Sequence, residues 1–82
     1  MNLDDQHFLG EVGARVRERR EGLGLTQAQL GERCGLHRTF IGSVERGERN
    51  LAVLNLRAIA RALRVSMAEL LNDADEEALP TS

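Results

Sequence analysis

A single cysteine, Cys34, excludes an intrachain disulfide and a cysteine metal cluster. It reads as a small residue in a buried or half-buried position. The two histidines, His7 and His37, stand thirty residues apart and offer no metal-ligand spacing. No glycine-rich phosphate loop follows a strand-like run. Nothing pairs a nucleophile with a base, so no catalytic residue, metal or cofactor is assigned and an enzyme is not expected. No apolar run approaches the length of a membrane span, and the opening MNLDDQHFLG is acidic where a secretory leader is basic. A cytoplasmic protein without a membrane partner is therefore expected. Lysine is absent, and every basic side chain is arginine.

What is present is a short chain with its charge sorted along its length. Eighty-two residues make one domain, small enough for its core to be marginal and for dimerisation to help. The net charge of −2 argues at first against a nucleic-acid partner, which requires positive charge. From Arg15 to Asn50, however, eight arginines face five acids. The negative surplus lies at the ends, in Asp4, Asp5, Asp73, Asp75, Glu76 and Glu77. The division expected is a folded functional domain over 1–72, then an acidic flexible tail over 73–82 that holds the only proline, Pro80.

The organising stretch runs from Thr26 to Gly47, TQAQLGERCGLHRTFIGSVERG. Thr26 followed by Gln29 is a capping box, Gly35 supplies a left-handed stop, and Gly47 can stop a second helix. The pattern predicts two short helices and a tight turn. Ala28, Leu30, Leu36, Phe40, Ile41 and Val44 read as interior, leaving Arg38, Thr39, Gly42, Ser43 and Arg46 facing out.

This segment resembles the helix-turn-helix of the Cro/repressor (XRE) family, and GLHRTFIGSVERGERN is most similar to the controller proteins of restriction-modification systems. The resemblance extends over Val12 to Leu71 through LGLTQAQL, Gly35, Val44-Glu45-Arg46-Gly47 and LRAIARALRVSMAEL. It implies an all-α, five-helix fold, a dimer formed through the last two helices, and double-stranded DNA as partner.

In chain order, Asp4 or Asp5 can cap a first helix whose apolar face carries Phe8, Val12 and Val16. Gly10 and Gly13 each cost about 1 kcal/mol of helix propensity relative to alanine, so packing must hold this helix together. Arg20 follows on the apolar stripe and needs a partner. The resemblance supplies one in Glu45, as a partly buried ion pair. A fourth helix is expected over about Val53 to Leu63, with Leu56, Ile59, Ala60 and Leu63 on its core face. Arg64 stands where many relatives have glycine. Ser66 and Glu69 read as a second capping box for a fifth helix, Met67 to Leu71. Leu51, Leu54, Met67 and Leu71 lack an obvious place in the core and suggest a two-fold interface.

A recognition helix enters the major groove with its N-terminal residues at base edges. Arg38, Thr39 and Ser43 are the expected base-reading residues, with Arg38 able to grip guanine O6 and N7. Thr26, Gln27, Arg46, Arg49 and Asn50 are expected to hold the backbone or reach the operator centre; Gln27 has its phosphate role from the resemblance. His37 reads as the residue that begins this helix, and Arg15, Arg17, Arg33, Arg57, Arg61 and Arg64 as a solvated face. The controller likeness implies a protein that regulates a restriction-modification operon, its own gene included, with activation through contact with RNA polymerase. The alternative is an antitoxin-type or phage-type repressor of the same fold with a protein partner.

Overall fold

The computed structural model describes residues 2–72. Five α-helices follow one another: α1 (Leu3–Gly22), α2 (Gln27–Cys34), α3 (Arg38–Glu45), α4 (Val53–Leu63) and α5 (Met67–Leu71). The tail expected over 73–82 lies outside the described residues. No helix among them is long and apolar enough to cross a membrane.

The core is built where the apolar stripes converge. Val16 from α1, Leu30 from α2, Ile41 and Val44 from α3, Leu56, Ile59, Ala60 and Leu63 from α4, and Leu70 from α5 form one buried cluster. Ala28, expected inside, is exposed, because Leu30 and Gly31 form the buried side of α2. Fully burying a leucine or isoleucine contributes about 1.5–3 kcal/mol, so the fully enclosed Leu30, Ile41, Ile59 and Leu70 are principal anchors.

Two features of α1 differ from the sequence expectation. Asn2 is its cap, accepting from the Asp5 amide at 2.8 Å, and Asp4 and Asp5 instead occupy the first turn, where their charge complements the helix dipole. Gly13 is a packing requirement rather than a tolerated weakness. A Cβ there would collide with the backbone carbonyls of Val44 and Glu45, so the missing side chain is what lets α1 cross α3 closely.

The helix ends follow local chemistry. Thr26 and Gln29 form the full reciprocal capping box of α2, and Gly35 ends that helix with φ of 73°. At α5 only half the expected box exists. Ser66 Oγ accepts from the Glu69 amide at 3.1 Å, while the Glu69 carboxylate reaches Arg19 across to α1 at 3.9 Å. Arg64 ends α4 with φ of 61°, the one non-glycine residue with positive φ among the described residues. Arg15, read as solvated, is half-buried and donates to the Leu70 carbonyl at 2.9 Å, tying α5 to α1.

Leu51, Met67 and Leu71 do find a place: each is half-buried against the core. Leu54 does not, and neither does its neighbour Val53; both are 68% exposed.

Candidate nucleic-acid interface

The α2–turn–α3 unit is fixed from behind by a polar network. The Arg20 guanidinium donates twice to the Glu45 carboxylate, from Nε at 2.6 Å and from Nη2 at 3.0 Å, and a third time to the Leu25 carbonyl at 2.8 Å. The side chains are 11% and 3% exposed. The hydrogen bonds to Glu45 push the guanidinium pKa further up despite the opposing effect of burial, so Arg20 stays charged at any accessible pH. Gln27 Nε2 donates to the same carboxylate at 3.1 Å. Glu45 thus joins the end of α3 to both α1 and the start of α2.

Among the described residues, two amides at the start of α2 have no partner. The capping box occupies the amides of Thr26 and Gln29, and that of Leu30 donates to the Thr26 carbonyl. The amides of Gln27 and Ala28 are left at the positive end of the helix dipole, the arrangement that receives a phosphate. Gln27 is half-buried and Thr26 exposed. One of the two Gln27 side-chain N–H donors goes to Glu45, which leaves the other beside the backbone N–H groups for a phosphate.

His37 caps α3: its Nδ1 accepts from the Thr39 amide at 3.0 Å. Arg38 and Thr39 occupy the first turn, both exposed, and Arg38 has no ion-pair partner among the described residues.

Ser43 is placed differently from the sequence expectation. It is buried, donates its hydroxyl to the Phe40 carbonyl at 2.7 Å and accepts from Arg49 Nε at 3.0 Å. Its one proton is spent inside the helix, and it has none to offer a base. Helical spacing alone put it outward because the chain that covers it, the loop after α3, arrives from further along the sequence. Gly42 is also buried, with Gln27 and the Arg46 guanidinium closing over it. Arg46, Arg49 and Asn50 are exposed, and Arg46 pairs with Glu48 at 3.1 Å.

A helix capped at a tight turn, braced through a buried ion pair and opening onto unpaired Arg38, is the geometry of a major-groove reader. The family profile described as Helix-turn-helix matches residues 16–70. The chain belongs to the helix-turn-helix family of DNA-binding transcriptional regulators. It is 46% identical over 69 residues to the control protein C.SmaI of Serratia marcescens, covering 84% of this chain and 79% of that one. The crystal structure of the restriction-modification controller protein C.AhdI from Aeromonas hydrophila superposes with a TM-score of 0.74 at 42% identity, covering 76% of this chain and 94% of that one. The P22 c2 repressor, crystallised with a synthetic operator, gives a TM-score of 0.72 at 38% identity, covering 74% and 92%. This helix-turn-helix family consists of regulators rather than enzymes.

Sequence reasoning missed the role of Phe40. Its ring lies 5.3 Å from the Arg49 guanidinium carbon, so one face of a residue read as interior is a platform for a cation. The signal was an aromatic one turn from a serine, which by itself does not name the arginine six residues beyond Ser43.

Proposed function

We propose that the protein is a sequence-specific transcriptional regulator that binds a pseudo-palindromic operator as a homodimer and controls a restriction-modification operon, its own gene included. The observation that carries the reading is Arg38: exposed, unpaired and in the first turn of a helix whose position is fixed by the Arg20–Glu45–Gln27 network. Arg38 reads guanine, Thr39 contacts a neighbouring base or a thymine methyl, and the open amides at Gln27 and Ala28 take a phosphate. Arg46, Arg49 and Asn50 hold the backbone toward the operator centre.

The exposed Val53 and Leu54 at the start of α4 support the dimer, and the parts of Leu51, Met67 and Leu71 that the core leaves uncovered would extend its interface. A second copy there would set two recognition helices about 34 Å apart, one helical turn of DNA. These functions belong to residues 1–72. Likeness to controller proteins supports the operon assignment and a cytoplasmic site of action, with protein concentration as the regulatory input. Activation then proceeds through contact with RNA polymerase from an occupied upstream site.

The test is a titration of purified protein on the duplex immediately upstream of its own gene, with random duplex of equal length alongside. Preferential, salt-sensitive binding with a footprint of two half-sites is expected. Equal affinity for both duplexes would refute autoregulation.

A further inference from the structure

The loop after α3 turns back along the helix it leaves. Gly47, with φ of 75°, lets the Glu48 amide donate to the Ser43 carbonyl at 2.9 Å, which lays Arg49 against the side of α3. Three contacts then define where that side chain sits. Arg49 Nε donates to Ser43 Oγ at 3.0 Å, Ser43 Oγ donates onward to the Phe40 carbonyl at 2.7 Å, and the guanidinium carbon stands 5.3 Å from the Phe40 ring centroid. That last distance is within the roughly 6 Å reach of a cation–π interaction.

The direction of each hydrogen bond is forced. A hydroxyl has one proton and two lone pairs, so Ser43 gives its proton to the carbonyl and its lone pair to the guanidinium. Phe40 and Ser43, three residues apart in α3, lie on the same side of the helix, as the pair must for one arginine to touch both. None of the contacts uses the two terminal amino groups of Arg49, and no carboxylate pairs with it among the described residues. Arg46 is the contrast, its Nε already taken by Glu48.

We propose that Phe40 and Ser43 are positioning residues for Arg49, holding its guanidinium at the edge of the recognition helix with both terminal amino groups open to a DNA phosphate. The proposal rests on the DNA-binding reading above and assigns roles to two side chains that touch no DNA themselves. A long side chain loses its rotamer freedom on binding, and one already held loses less. Guanidinium suits the task, because it stacks on a ring and presents a planar fork matched to phosphate.

The experiment has an arm on the free protein and an arm on DNA. In nitrogen-15 spectra of the free protein, the Arg49 side-chain protons are displaced by the Phe40 ring current. That displacement is lost in Phe40→Leu and kept in Phe40→Tyr, while Ser43→Ala speeds exchange of the Nε proton. Unshifted Arg49 resonances with ordinary exchange overturn the hold, whatever the operator proves to be.

On the upstream duplex, Ser43→Ala and Phe40→Leu each weaken binding by about three- to tenfold, the range of one hydrogen bond or one cation–π contact. Phe40→Tyr restores wild-type affinity. Neither loss appears in an Arg49→Ala background, and Arg49→Ala lowers the salt slope by about one. Equal losses with and without Arg49 would mean that the pair merely supports the loop, and would overturn the proposal. An unchanged slope would overturn the phosphate contact. Absence of any preference for the upstream duplex would count against the proposed function instead, leaving the free-protein spectra to decide the hold.

Discussion

At the α2–α3 end of the molecule the charged groups that packing encloses are satisfied within the chain, whereas at the α4–α5 end apolar groups are left outside it. Arg20 gives three hydrogen bonds, Glu45 receives three, and no buried side-chain nitrogen or oxygen among the described residues lacks a partner. Val53 and Leu54, by contrast, open α4 at 68% exposure, the helix begins without a side-chain cap, and it ends on an arginine in a left-handed conformation. The difference teaches where specificity and assembly are divided. The face that carries Arg38 is braced internally, whereas the α4–α5 face is left open, as the proposed dimer requires.

The comparison breaks most severely if the brace is cut. Glu45→Ala strands the Arg20 guanidinium and frees Gln27, and is expected to cost about 3–5 kcal/mol in urea unfolding, the range for removing one member of a buried pair. Wild-type stability in Glu45→Ala would mean that packing alone orients α3. At the other end, Leu54→Glu should leave the monomer folded and weaken dimerisation by about tenfold or more in sedimentation equilibrium, as burial of a leucine is worth about 1.5–3 kcal/mol. An undiminished dimer would move the interface elsewhere.

Smaller effects sharpen the picture. Arg64→Gly relieves a left-handed L-residue at the end of α4 and should stabilise the fold by about 0.5–1 kcal/mol, read as a raised melting temperature. Cys34 is half-buried, with its thiol donating to the Leu30 carbonyl at 3.1 Å. Burial pushes its pKa above the ordinary thiol value, so less of it is thiolate at a given pH. Alkylation of the native protein near pH 8 should be several-fold slower than of the urea-unfolded chain, the smallest change expected.

What the sequence made legible was local or motif-bound. Thr26, Gln29, Gly35 and Gly47 punctuate the central helices by rules that act over three or four residues, the extent of α4 follows from its apolar periodicity, and the start of α5 follows from Ser66. The Arg20–Glu45 contact joins residues 25 apart and came from family likeness, since periodicity said only that Arg20 needed a partner. Ser43 was misplaced for a related reason: helical spacing describes a helix alone, and the Arg49 loop that covers Ser43 is tertiary. Gly13 looked like a helix weakness until the α3 backbone stood against it. At α5, Glu69 fitted a capping box by spacing, but the nearby Arg19 drew its carboxylate away.

The central claim is that Arg38, in the first turn of the braced helix, reads sequence. It is tested most directly by titrating wild-type protein and Arg38→Ala against the protected upstream site and a set of its single-base variants. The account predicts that wild type discriminates against substitution of one guanine per half-site by about 1–3 kcal/mol, and that Arg38→Ala loses discrimination at that position while keeping it elsewhere. A uniform loss of affinity across all variants, with the base preferences intact, would make Arg38 a backbone contact and contradict the account.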